Sequence, residues 1–462
     1  MRITTLCWTA LLVLLAAAQM QASEEEVGRQ TIRVGILSLG ARTAITIIPQ
    51  NEASASIPGT SAKALCIRSG TKLTVRWRSA SEVSCEGVST APALRISCPG
   101  LLAVADRPYP NTIEVWPDPN GHLTVINEVP LESYVRGVLL AEGTSSMHPE
   151  ALKALAVAAR SYALASLNKH AALGFDVCDT THCQGYRPYR PNPKVEAAVS
   201  ATAGEVLLSS DGPIVAAYCT DCGGATANNE DAGFGTSPKP YLRGVRDAPA
   251  GKPNYCAASR YQSWRREFDL DDIAKRLALA PSAGLAYITG VSFEDPDQFG
   301  RAKTVVIRGY EHAPASTPTS DPASEQKEPP LLVTRSIPAP LFRRIMGETR
   351  LPSTAASARV LPGHRLEVTG RGFGHGVGMC LAGADGMARP PHNARYREIL
   401  AHYYTSAVLT RLAPPAELIS TARPSNTKRR TPPPRLPQPR LPRPCVPPST
   451  VFPKRSSETQ AR

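Results

Sequence analysis

The chain lacks a second long apolar run. Beyond its first residues no stretch of the 462 resembles a transmembrane helix, which argues against a protein of several helical spans. It also lacks a basic folded region, although the formal net charge is +13. From Thr421 onward there are ten Lys or Arg and one acid, so most of the excess belongs to the C-terminal tail. With that tail and Arg2 set aside the balance is +3, so no nucleic-acid partner is expected. The glycine-rich stretch Gly370–Gly383 lacks the Lys followed by Ser or Thr that a phosphate-cradling loop needs. No Cys closely follows the N-terminal apolar segment, which argues against a lipoprotein anchor, since Cys7 lies inside it.

Arg2, the apolar run Leu6–Ala18 and small residues up to Ala22 read as a secretory signal over residues 1–22. An exported protein in the periplasm, cell wall or extracellular space is therefore expected. Of eleven Cys, nine remain between residues 66 and 380 once Cys7 and the tail's Cys445 are set aside. Disulfides are the default use of such residues outside the cytosol, but an odd number leaves one over, and a metal site can take a pair.

Alternating segments at 31–37, 72–77, 111–116 and 121–127 predict a small β-rich domain over residues 30–125, with Cys66, Cys85 and Cys98 as candidate staples. A second region, 126–412, mixes helices with antiparallel strands around a cleft, so the expected class is α+β. Residues 313–330 are rich in Pro, Ser and Thr and read as a disordered insertion. Residues 413–462 form a Pro- and Arg-rich disordered tail, whose charge suits an anionic surface or membrane.

The region opens with two helical patterns. Pro130 precedes Leu131, Tyr134, Val138 and Leu139 at helical spacing, and the pattern ends at Glu142. Pro149 opens a second helix with Leu152, Leu155, Ala156, Ala159, Tyr162 and Ala163 on its buried stripe, behind Ser145 and Ser146 as candidate caps. A carboxyl at a helix C-terminus, among apolar neighbours, is held protonated longer than usual, which suits a general acid.

Three further clusters follow. In Cys178–Tyr186 two thiols are separated by four residues, His182 among them, with His170 upstream, a set that suits zinc or, alternatively, a disulfide. In Tyr218–Glu230 a Gly-Gly turn carries Thr226, Asn228 and Glu230, and Cys222 and Cys256 are candidates for a disulfide pair. In Gly370–Ala388, six Gly between Gly370 and Gly383 surround His375 and Arg371, presenting the imidazole on a tight loop.

In this order the motifs resemble the sporulation stage II protein D family, SpoIID, which includes amidase-enhancer proteins. The resemblance covers Ile126–Thr410 and rests on the Glu142 helix pair, Cys178–Gln184, Cys222–Thr226 with Pro240–Leu242, and Gly374–Met379; Arg397–Tyr404 resembles the family's last helix. It implies a peptidoglycan lytic transglycosylase that cleaves glycan strands, particularly those stripped of stem peptides, with Glu142 catalytic. It also implies a zinc held by Cys178, Cys183 and His170, with His182 as the alternative third ligand. Gln184, Tyr186, Thr226, Arg371 and His375 are the expected glycan-binding residues. Glycan strands and a cell-wall amidase are the expected partners, and a sporulation context is in keeping with the family. The chain departs from the family pattern at Leu155 and Leu381, where Gln is common, and at Gly143–Thr144.

Overall fold

The computed structural model describes residues 31–61, 64–85, 88–278, 285–311 and 332–412. The expected signal, insertion and tail lie outside them, as does Gln30 at the start of the expected β-rich domain. The described residues mix α-helices with mostly antiparallel sheets, the α+β class expected.

Eleven short strands make the largest sheet: β1 Thr31–Gly35, β2 Ala44–Pro49, β3 Ala53–Ser56, β4 Leu65–Ile67, β5 Leu73–Ser79, β6 Glu82–Cys85, β7 Val88–Ala91, β8 Leu94–Val104, β9 Arg107–Pro117, β10 Leu123–Pro130 and β11 Val177–Cys178. Their order is β11-β1-β10-β9-β8-β2-β5-β6-β7, with β3 and β4 paired off β8. The pattern of β2, with Ile45, Ile47 and Pro49 buried and alternate residues half-exposed, is that of a strand with one face on a core. Asp118 makes the β9–β10 turn, its carboxylate accepting the Asn120 and His122 N–H groups at 2.7 and 3.1 Å.

β10 leads without a loop into α1, Leu131–Glu142, with Pro130 as its N-cap residue. α2 spans Pro149–Ala165. Its cap is His148, whose Nδ1 accepts the Glu150 N–H at 3.3 Å, and not Ser145 or Ser146. Pro149 takes the first helical position, so the residue immediately before it becomes the cap. α1 and α2 share one apolar core with the large sheet. Arg160, fully buried on α2, is held by Glu132 of α1 at 2.9 and 2.7 Å and by the Glu205 carbonyl at 2.8 Å. Leu155 is fully buried in this core, so the residue standing where the family often has Gln is a packing residue here.

After α3, Pro193–Ala201, come β12 Glu205–Ser209, β13 Gly212–Pro213 and β14 Tyr218–Cys219. A second apolar core then forms between Trp264 and Val368. It contains β15 Trp264–Asp269, α4 Leu270–Ala278, the antiparallel β16 Tyr287–Pro296, β17 Ala302–Tyr310 and β18 Leu332–Pro338, α5 Ala339–Met346, β19 Ala356–Leu361 and β20 Arg365–Gly370. Asp269 caps α4 by accepting the Asp271 and Asp272 N–H groups, as its sequence position suggests. The chain returns to the first core through β21 Met379–Cys380, α6 Leu381–Ala388, α7 Tyr396–Tyr403 and β22 Val408–Arg411. No helix among the described residues is long and apolar enough to cross a membrane.

Candidate active site

Glu142 ends α1 and is half-buried. Its Oε1 accepts the Gly185 N–H at 2.8 Å. Burial pushes the carboxyl above its usual range, against that hydrogen bond and the charge of Arg187, which pull it down. No acidic neighbour acts on it among the described residues. The fit is close: a Cβ on Gly185 would stand 2.7 Å from Oε1 and 3.1 Å from the Ala141 Cβ.

The segment 177–187 that meets Glu142 is pinned to α1 by aromatic residues. The Tyr186 ring stacks on Tyr134 at 5.4 Å, and its hydroxyl donates to Asn127 Oδ1 at 2.7 Å. Gly137 makes this possible, since a Cβ there would lie 2.2 Å from the ring. Gln184 is buried; its Oε1 accepts from the Tyr134 hydroxyl at 3.0 Å, and its Nε2 donates to the Tyr218 hydroxyl at 3.0 Å. The polar atoms of Gln184 and Tyr186 are thus engaged within the protein. A cleft of about 430 Å³ runs beside them, lined by Ser133, Arg136, Leu140 and Arg187 among others.

Four donor groups gather on the other side of the same segment. His170, Cys178, His182 and Cys183 place one ligand atom each within 4.8 Å of one another. His170 Nε2 is 3.3 Å from Cys183 Sγ, and His182 Nδ1 is 3.8 and 3.6 Å from the two sulfurs. The structure therefore brings both imidazoles to the thiols, where the sequence offered one as an alternative to the other. A hydrogen bond from Cys183, helped by Thr180 and His182, holds the Cys178 thiol down to about 4, while the same contact and burial push Cys183 up. Two thiols and two imidazoles at this spacing match the donor set of a closed tetrahedral zinc site.

The glycine-rich loop reaches the same region through Tyr218. β14 runs parallel to β21, Tyr218 opposite Met379, and Gly372, Gly374, Gly376 and Gly378 all have positive φ. His375 Nδ1 accepts the Val377 N–H at 3.0 Å, the ring packs on Phe234 at 4.4 Å, and it also hydrogen-bonds the Tyr218 backbone. His375 as a residue is half-buried; burial of its imidazole and then the charges of Arg343 and Arg301 push it down to about 3, so it is neutral at ordinary pH. The Tyr218 hydroxyl is raised far above its usual value, first by burial and then by the charge of Glu142. Tyr218 therefore joins Glu142 and Gln184 to His375. Nothing local in the sequence marks Tyr218 for this role, because its partners lie far away in the chain.

Two expected residues stand apart. Thr226 is buried, its hydroxyl accepting the Val245 N–H at 2.9 Å and holding a turn. Arg371 is exposed, donates to the Phe299 carbonyl at 2.6 Å, and lines a separate cleft of about 710 Å³ with Trp264 and Thr369. Leu381, at the start of α6, is buried in the first core.

The profile of the stage II sporulation protein family, SpoIID, matches residues 119–208, the stretch holding Glu142 and the Cys–His cluster. An uncharacterised protein of Brachyspira hyodysenteriae is 32% identical over 288 residues, which is 62% of this chain and 68% of that protein. The chain belongs to the SpoIID family. Within that family it is 28% identical to stage II sporulation protein D of Bacillus subtilis over 296 residues, 60% of this chain and 74% of that protein. It is 29% identical to the amidase enhancer of Bacillus subtilis over 301 residues, 60% of this chain but 40% of that longer relative.

Proposed function

We propose that this SpoIID-family protein is an exported lytic transglycosylase that cleaves peptidoglycan glycan strands, a carbon–oxygen lyase acting on polysaccharide. The observation that carries the reading is the Glu142 carboxyl, raised by burial, oriented by the Gly185 N–H and with no acidic group among the charges that shift it. Protonated Glu142 gives its proton to the glycosidic oxygen on the muramic acid C1 as that C1–O bond breaks. The sugar's own C6 hydroxyl then bonds to C1, and the Glu142 carboxylate takes the hydroxyl proton. The product ends in an anhydromuramoyl sugar, no water is consumed, and Glu142 is protonated again. Hydrolytic glycosidases need a second carboxylate, as nucleophile or water-activating base. The surroundings of Glu142 therefore favour the internal hydroxyl as the nucleophile.

Within this reading His375 offers neutral hydrogen bonding, and Gln184 and Tyr186 act as positioning residues, through Tyr218 and α1 respectively. Arg371, exposed in the separate cleft, stays on the proposal as a glycan contact, whereas buried Thr226 holds its turn and has no surface to offer a glycan. Cys178, Cys183, His170 and His182 would hold one zinc, which supplies a rigid cross-link to the segment that orients Glu142 and no hydroxide to the reaction. Incubating denuded glycan with the protein should release anhydromuramoyl products, and Glu142→Gln should lose them. Undiminished release by that variant removes Glu142 from the mechanism.

The relative named an amidase enhancer favours a second reading, in which the cleft holds glycan without cutting it and the protein recruits or stimulates a cell-wall amidase. Glycan retained on the protein with no new ends would support that reading.

A further inference from the structure

A second group of metal-ligating side chains lies beneath the glycine-rich loop. Asp221, Cys222, Cys256 and Cys380 are all buried, and one ligand atom from each lies within 4.8 Å of the other three. They come from three separate pieces of chain: the turn after β14, the short 3-10 helix Tyr255–Ala258, and the junction of β21 with α6. Cys222 Sγ and Cys256 Sγ are 3.9 Å apart. Metal–sulfur bonds of about 2.3 Å in a tetrahedron put two sulfurs about 3.8 Å apart.

Burial pushes the Cys222, Cys256 and Cys380 thiols up, so a cation is needed to hold them as thiolates, and the hydrogen bonds around them would support that form. Cys380 Sγ accepts two backbone N–H groups, from Cys222 and Gly383, each at 3.2 Å. Hydrogen bonds of this kind are stronger to a thiolate than to a thiol. Gln262 Nε2 donates to Cys256 Sγ at 3.2 Å. Asp221 is fully buried; its Oδ1 accepts the Gly223 N–H at 2.7 Å, while its Oδ2 has no hydrogen-bond partner. A buried carboxylate oxygen left unpartnered is costly, and a cation removes that cost. Beside the cluster, buried Arg301 donates to the Cys222 carbonyl at 3.0 Å and brings a compensating positive charge.

We propose that Asp221, Cys222, Cys256 and Cys380 form a second, closed metal site that takes zinc and ties the glycine-rich loop to the first core. A Cys222–Cys256 disulfide is the rival arrangement. It uses two of the four groups and leaves the Asp221 oxygen unpartnered. Cys219, which faces Cys380 across β14 and β21, is the other thiol that a disulfide could engage.

The test is metal content and thiol state of the full exported chain purified without chelator, neither of which depends on glycan cleavage. The expected result is about two zinc per chain in the wild type and about one in Cys178→Ser/Cys183→Ser. Adding Cys256→Ser to that variant should remove the remaining metal. Should the triple variant fail to fold, cobalt loaded into Cys178→Ser/Cys183→Ser should still give the intense near-ultraviolet thiolate-to-cobalt band. One zinc in the wild type and none in Cys178→Ser/Cys183→Ser overturns the proposal. So does peptide mapping that finds Cys222 bonded to Cys256, or Cys380 bonded to Cys219.

Discussion

Glu142 and His375 both interact with Tyr218, and burial acts on them in opposite directions. On one side Glu142 sits half-buried against Gly185, and the loss of water raises its carboxyl. On the other side His375 sits on a glycine-rich loop near Arg301 and Arg343, where burial and positive charge leave its imidazole neutral. Burial thus raises the acid and lowers the base. A site arranged this way has one group that can donate a proton and a partner suited to hydrogen bonding without charge.

The strongest way to break the comparison is Glu142→Gln. It keeps an acceptor for the Gly185 N–H and removes the acid, and glycan cleavage should fall by about 10²–10⁴-fold, the usual worth of general acid–base catalysis. The same variant should show a small rise in melting temperature at neutral pH. The sign follows from the raised carboxyl: its stabilising share is present below the unfolded value near 4.5 and is lost as pH rises through the higher folded value. Gln has no charge to lose, so the gain should vanish in acid. A variant less stable than wild type at neutral pH would count against a desolvated carboxyl.

Gly185→Ala comes next. A Cβ 2.7 Å from Oε1 displaces the carboxyl, and misplacement of this order costs up to about 10²-fold in rate. The circular dichroism spectrum should be unchanged, and a wild-type rate would mean that the position of Glu142 does not matter.

Tyr218→Phe should have a smaller effect. It leaves Gln184 Nε2 without its partner and should cost about 1 kcal/mol of stability by thermal unfolding, with a rate loss below about tenfold. Unaltered stability would show that the Gln184 contact is not the link between the two sides.

The smallest effect is on the shape of the pH profile. Activity should fall as pH rises through the raised value of Glu142, because the protonated form is the donor. His375, held at about 3, should add no limb between about pH 5 and 8, the range in which ordinary histidines titrate. His375→Gln should therefore weaken glycan binding and keep the wild-type profile. A limb near neutral pH that disappears in that variant would show the imidazole to be charged in use.

The helix pair was legible because Pro130 and Pro149 mark its starts and the apolar spacing between them is regular. Glu142 could be singled out for the same reason, as a carboxylate at the end of such a pattern. The strands around 31–35, 73–79 and 107–130 followed from local signals too. The second core was not foreseen as a unit, because β15 and β20 pair across nearly a hundred residues of intervening chain. The same limit hid the role of Tyr218 and the meeting of Cys222 with Cys380, whose contact spans 158 positions. Gln184 and Tyr186 were expected to bind glycan, but their buried hydrogen bonds to Tyr134, Tyr218 and Asn127 depend on packing that the linear sequence does not display.

The central claim is that one carboxyl group cleaves glycan with the sugar's own hydroxyl as nucleophile. Mass spectrometry of denuded glycan digested in heavy-oxygen water tests it most directly, with wild type and Glu142→Gln in parallel. The account predicts anhydromuramoyl ends carrying no heavy oxygen in the wild type, and no such ends in the variant. Reducing ends labelled with heavy oxygen, or intact glycan from the wild type, would contradict it.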